Sequence, residues 1–128
     1  MKLTKAQDYA TLIVSYLAKE GKTVSVRKIC NDLNLPIPFT RRILNSLSKS
    51  KIVEGVEGSD GGYKIFKDPS SISIYDIISS LGGDIKITEC IDCNCPLEGR
   101  CLSSKVFKNL NGEIVDKFIK IKISDILK

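Results

Sequence analysis

The sequence predicts a mainly α fold with a small β-hairpin wing: a winged helix-turn-helix followed by a long C-terminal dimerisation helix. Three observations point to it. Two short amphipathic segments flank a turn marked by Pro36 and Pro38, and two strand-like runs joined by a Gly-rich connector follow at once. A long stretch of apolar residues repeating at three and four positions then closes the chain. The expected division is 1–70 for the winged helix-turn-helix, 71–101 for a connecting helix and a cysteine-rich loop, and 102–128 for the dimerisation helix.

The elements follow in order. Thr4 and Gln7 have capping-box spacing, and Tyr9, Ala10, Leu12, Ile13, Tyr16 and Leu17 recur at helical intervals until Gly21, giving a helix over 5–20. Ser25 can cap a short second helix with Val26, Ile29, Cys30 and Leu33 on its apolar face, ending near Asn34; Cys30 reads as a small buried hydrophobe. Pro38 suits the first turn of a third helix over about 38–50, because its missing amide hydrogen has no partner there anyway. Phe39, Ile43, Leu44 and Leu47 form the inner stripe of that helix, leaving Thr40, Arg41, Arg42, Asn45, Ser46 and Lys49 outward. The runs 52–56 and 63–66 make a hairpin across Glu57-Gly58-Ser59-Asp60-Gly61-Gly62, residues that tolerate positive φ. Ser73 and Asp76 open a helix stopped by Gly82-Gly83, and Ser103 or Ser104 opens the last one, with Phe107, Leu110, Ile114, Phe118 and Ile121 on its apolar face.

With 42% apolar and 27% charged residues, 128 residues suffice for one domain with a real core. Net charge is +5 and unevenly spread: residues 1–67 carry 12 Lys+Arg against 6 Asp+Glu, and residues 68–128 carry 8 against 9. A positive module fits a polyanion, since each neutralised phosphate releases condensed counterions. In a helix-turn-helix the second helix enters the major groove, where Arg reads guanine and Asn reads adenine; either also holds phosphates. The candidate DNA-binding residues are therefore Arg27, Lys28, Thr40, Arg41, Arg42, Asn45, Lys49, and Ser59 and Tyr63 of the wing. The expected partner is double-stranded DNA, read as a palindromic operator by a homodimer whose two-fold axis matches two half-sites.

No stretch approaches the roughly 18 consecutive apolar residues of a membrane span, and no secretory signal opens the chain, so a cytoplasmic protein is expected. In a reducing compartment clustered thiols bind metals or work in redox chemistry more often than they form structural disulfides. Four of the five cysteines, Cys90, Cys93, Cys95 and Cys101, fall inside twelve residues, and there is no histidine. Soft thiolate donors select zinc, copper(I) or iron-sulfur clusters, and the missing imidazole excludes Cys2His2 zinc and Rieske sites. One short loop also lacks the two separated knuckles usual for structural zinc, and the ferredoxin run of four regularly spaced cysteines is absent. A cluster, zinc, a thiol or disulfide switch and an inert loop remain the possible readings. The lack of histidine, of a recognisable carboxylate pair and of a helix-opening phosphate loop argues against an enzyme.

The opening Met1-Lys2-Leu3-Thr4 with Asp8-Tyr9-Ala10, the wing Gly61-Gly62-Tyr63, the Leu81-Gly82-Gly83 stop, and Cys95-Pro96-Leu97 with Cys101 before the long helix occur in a specific order and spacing. Over nearly its whole length the chain thereby resembles the Rrf (number two) family of winged-helix transcriptional regulators. The resemblance implies a homodimeric regulator, most simply a repressor. It further implies an iron-sulfur cluster held by three cysteines and a fourth ligand, with cluster state controlling DNA affinity. In one type of member that ligand is histidine, which is absent here; in the nitric-oxide-sensing type it is an N-terminal aspartate of the other protomer, and Asp8 stands at the matching position. The implied ligand set is Cys90, Cys95 and Cys101 with Asp8 or Cys93, and the cluster has two or four irons. Two departures stand out: only four residues intervene between Cys90 and Cys95 and Cys93 is extra, while Glu57-Gly58 replaces the Arg-Gly frequent in relatives' wings. A redox or electron-transfer module that docks an acidic protein instead of DNA is the rival reading.

Overall fold

Thr4 and Gln7 close the predicted capping box, with the Thr4 amide donating to Gln7 Oε1 at 2.9 Å and the Gln7 amide to Thr4 Oγ1 at 3.1 Å, and this starts α1 (Lys5–Glu20). The structure is a computed structural model and describes residues 2–88, 96–97 and 99–128. Gly21 stops α1 in the left-handed region at φ 66°, where a missing Cβ removes the steric cost. The buried stripe is Ala10, Ile13, Val14 and Leu17, so the helix is rotated from the sequence expectation: Val14 faces the core and Leu12 faces outward.

Ser25 caps α2 (Val26–Leu33), accepting from the Lys28 amide at 3.2 Å, and Asn34 ends it at φ 56°. Pro36 precedes α3 (Ile37–Lys49), and Pro38 sits in its first turn. Ile43, Leu44 and Leu47 of α3 and Ile29 of α2 are buried together with the α1 stripe. Phe39, expected inside, is half-buried and meets the Tyr9 ring edge-on with centroids 5.6 Å apart. The connecting turn puts Lys51 at φ 60° and buries Ile52, whose amide donates to the Leu47 carbonyl at 3.0 Å.

The wing is an antiparallel pair, β1 (Val53–Val56) and β2 (Gly62–Ile65), registered Val53 to Ile65 and Val56 to Gly62, one residue from the expected strand starts. Val24, in the α1–α2 connection, forms a bridge to Tyr63 through two reciprocal backbone hydrogen bonds of 2.9 Å. The wing is therefore tied to the start of α2 as well as to the end of α3. A Cβ on Gly62 would overlap the Val24 carbonyl, which makes glycine a requirement of this close approach.

Asp68 caps a 3-10 turn at Pro69–Ser71, and the Ser73/Asp76 capping box opens α4 (Ile74–Ser80) as the sequence predicts. The long helix α5 (Ser104–Lys120) stops one residue before Ile121, short of the expected continuation. Lys122 pairs with Ser73 as an antiparallel bridge, and the Ile123 amide donates to the Ile72 carbonyl at 2.9 Å. A short α6 (Ile123–Ile126) follows, with Ile123 fully buried in the same core as α1 and α3. Full burial of such a side chain stabilises by about 1.5–3 kcal/mol, so the tail anchors α5 to the N-terminal module at its far end. Near its middle, Asn111 is the one buried residue of α5, and its Oδ1 accepts from the Ile87 amide at 2.9 Å. Val106, Phe107 and Leu110 leave an exposed apolar face on α5.

Candidate nucleic-acid interface and thiol site

The first turn of α2, the outer face of α3 and the wing enclose an open cleft of about 600 Å³, lined by Ser25, Val26, Arg27, Arg41 and by Gly55 to Gly58 and Gly61 to Tyr63 of the wing. The cleft brings Arg27 and Arg41 opposite a wing wall of Gly55, Val56, Glu57, Gly58, Gly61 and Gly62, in which Glu57 is the one acidic residue. Arginine forks match phosphate and guanine edges bidentately, and the α2 N-terminus adds amide hydrogens and the positive end of a helix dipole. The Tyr63 ring lies over Gly55, 3.6 Å from where a Cβ would stand, and gives that wall an aromatic face. Ser59 is exposed at the wing tip, in a turn closed by the Gly61 amide donating to the Gly58 carbonyl at 3.0 Å.

The other sequence candidates divide by their surroundings. Asn45 and Lys49 are exposed on α3, and Arg42 is exposed with its guanidinium 5.8 Å from the Phe39 ring centroid, a cation–π contact that steadies it. Lys28 does not line the cleft; its Nζ lies 3.0 Å from Asp32 Oδ2, which also accepts from the Tyr16 hydroxyl at 2.5 Å. These two hydrogen bonds, the Tyr16 one first, hold the Asp32 carboxyl below its usual range. Thr40 corrects the sequence expectation: it is 0% exposed and cannot reach a ligand from the outer face. Helical rotation places it between the inner stripe residues, with its hydroxyl unpartnered. A buried hydroxyl without a partner costs about 1–3 kcal/mol, so Thr40→Val is expected to raise the thermal midpoint without weakening DNA binding. A lowered midpoint would contradict the unsatisfied hydroxyl.

Of the thiol candidates, Cys90, Cys93 and Cys95 lie outside the described residues. Cys101 stands just ahead of α5, half-exposed, with Sγ 3.4 Å from Ser103 Oγ. The Ser103 hydroxyl, then the Ser103 and Ser104 backbone amides, hold this thiol below its ordinary pKa, and the N-terminus of a long helix favours the same anion. A ligand thiol must be deprotonated to bind metal, so Cys101 fits the chemistry of a soft-metal donor. Asp8 is exposed in the first turn of α1. Among the described residues no three Cys, Asp or Glu side chains gather. Cys30 is buried in α2, as expected.

The sequence reading missed the bridge at Val24, the close approach at Gly62 and the Asp32 pairing. The pairing had a signal, since Lys28 and Asp32 stand four apart. The other two rest on contacts between residues about forty apart and had none. Among the described residues no helix is long and apolar enough to cross a membrane.

The chain matches the Rrf2 family, described as an iron-dependent transcriptional regulator, over residues 3–128. It is 30% identical over 124 residues to a protein of Aquifex aeolicus that bears the name of an HTH-type transcriptional regulator, covering 93% of this chain and 86% of the relative. It is 28% identical over 96 residues to the HTH-type transcriptional regulator NsrR of Bacillus subtilis, covering 73% of this chain and 66% of NsrR. Its fold is similar to that of CymR, the global cysteine regulator of B. subtilis, with a TM-score of 0.82 at 21% identity over 98% of this chain and 95% of CymR. The chain therefore belongs to the Rrf2 family of winged-helix transcriptional regulators, which are not enzymes.

Proposed function

We propose that this regulator is a homodimeric repressor that grips a palindromic operator through the Arg27–Arg41–wing cleft and senses iron-sulfur status, redox state or nitric oxide through a cluster at its cysteine loop. The observation that carries the DNA part is the convergence of Arg27 and Arg41 on one open cleft walled by the wing. The cluster part is supported by the thiolate-favouring seat of Cys101 and by the four-thiol run that ends at it. Cys90, Cys95 and Cys101 would hold the cluster, with Asp8 of the partner subunit or Cys93 as the remaining ligand. Such a group supplies an iron-dependent, oxidant- and nitric-oxide-sensitive cross-link among its ligands.

The chain's own residues account for how a change at that loop reaches DNA. Asn111 fastens Ile87, ahead of the loop, to the middle of α5, and Ser104, whose hydroxyl donates to the Cys101 carbonyl at 3.3 Å, fastens its end to the start of the same helix. The loop thus opens and closes on α5, whose exposed apolar face is offered to a second copy. Because half-site spacing is set by the angle between protomers, a shift along α5 alters operator affinity. The thiolate bias of Cys101 also favours a second reading, a thiol or disulfide switch or a zinc-dependent regulator on the same fold.

Titrating labelled duplex DNA with wild type and Arg41→Ala tests the cleft. Loss of about 1–3 kcal/mol of binding is expected, with a salt slope lower by about 1 if the contact is to phosphate. Unchanged affinity in a folded Arg41→Ala protein would move the interface elsewhere.

A further inference from the structure

Two adjacent basic residues at the start of α2 are treated differently by the fold. Arg27 lines the cleft; Lys28, one position on, does not. Lys28 is instead held by Asp32 one helical turn away at 3.0 Å. An exposed pair at this spacing is by itself a weak contact, too little to restrain a lysine beside a polyanion. Here the carboxylate has a second anchor. The hydroxyl of Tyr16, from α1, donates to the same Asp32 oxygen and fixes the carboxylate against the flank of α2. The α1 backbone is itself fixed by the buried Ile13, Val14 and Leu17, so the negative charge has a set position.

We propose that Asp32, positioned by Tyr16, is a specificity-setting residue that withholds Lys28 from phosphate contact. A lysine on phosphate adds affinity for every sequence and discriminates none. Neutralising it beside Arg27 keeps the α2 N-terminus from gripping DNA indiscriminately and leaves a larger share of the binding to the α3 and wing contacts. A built-in repulsive charge that lowers affinity for the wrong partner more than for the right one is a general route to specificity. The inference rests on the reading of the cleft as a DNA interface.

The test uses the full chain, a random-sequence DNA duplex and a series of salt concentrations. Asp32→Asn keeps an oxygen for Tyr16 and removes the charge. Its log–log salt slope is expected to steepen by about 0.9, the increment for one added phosphate contact. Across a fourfold rise in salt that is an extra loss of roughly 3.5-fold relative to wild type, with tighter binding than wild type at the low end. The double variant Asp32→Asn/Lys28→Gln is expected to return to the wild-type slope. A slope unchanged in Asp32→Asn, or a steep slope that persists in the double variant, would overturn the proposal while leaving the cleft intact. Failure of the wild type to bind DNA at low salt would overturn the cleft reading and this inference with it.

Discussion

If the chain holds the proposed cluster, Cys101→Ala is expected to strip it of most of its iron and to leave the thermal midpoint close to that of the iron-free wild-type protein. The side chain is half-exposed and touches the Ser103 hydroxyl outside the hydrophobic core of the described residues, so its removal opens no cavity in that core. Surface changes of this kind usually fall within about 0.5 kcal/mol. What is lost is a donor already biased toward the thiolate, and removing one ligand of a cluster generally removes the cluster. Cys30→Ala is the matching control. Cys30 is buried within the α2 face of the core, so truncation there should lower stability and leave iron content unchanged. Iron retained at wild-type level in Cys101→Ala would remove Cys101 from the ligand set.

Gly62→Ala is expected to be among the most damaging single-methyl additions available to this chain. The new Cβ would run into the carbonyl of Val24, a backbone atom that cannot swing aside as a side-chain tip can. Relief requires the wing to pull away from the α1–α2 connection, breaking the paired Val24–Tyr63 hydrogen bonds. Two such bonds contribute about 1 kcal/mol each, and forced packing adds about 1–3 kcal/mol. A loss of several kcal/mol and a midpoint lower by roughly 10 °C is the expected result. DNA affinity should fall as well, because Gly62 and Tyr63 line the cleft opposite Arg27. Gly112→Ala, at an open position inside α5, should instead stabilise by about 0.5–1 kcal/mol through the lower entropy of the unfolded chain. If Gly62→Ala proved as benign as Gly112→Ala, the bridge between wing and α2 would not be structural.

The local signals of this chain were legible because each is decided within a few residues. Thr4 with Gln7, Ser25, Ser73 with Asp76, and the proline pair all set helix ends where capping chemistry puts them. The hairpin was legible from Gly58 to Gly62, where positive-φ residues cluster. Rotation of a helix about its axis was harder. Leu12 and Val14 exchanged places, and Thr40 went inside, because each helix buries a single stripe at i, i+3, i+4 and i+7. The stripe is Ala10, Ile13, Val14 and Leu17 on α1 and Thr40, Ile43, Leu44 and Leu47 on α3, and Thr40 is the polar member of its stripe. Ile121 continued the periodic pattern of α5, yet the helix stops before it because Lys122 pairs with Ser73 and Ile123 finds a buried seat beside Ile72. Those partners are some fifty residues distant in sequence, and no local pattern carries them. At the candidate sites, residue type gave the guanidinium and thiol chemistry, while the division between Arg27 in the cleft and Lys28 outside it required the structure.

The most direct measurement is to purify the protein without oxygen, determine iron and acid-labile sulfide per chain, and titrate the same sample onto DNA before and after chelation. A cluster-controlled regulator will be brown, will carry roughly two or four irons with matching sulfide per chain, and will bind DNA with a different affinity once the iron is removed. A colourless, iron-free protein from cells competent in cluster assembly, or an iron-loaded one whose DNA affinity ignores chelation, would contradict cluster control.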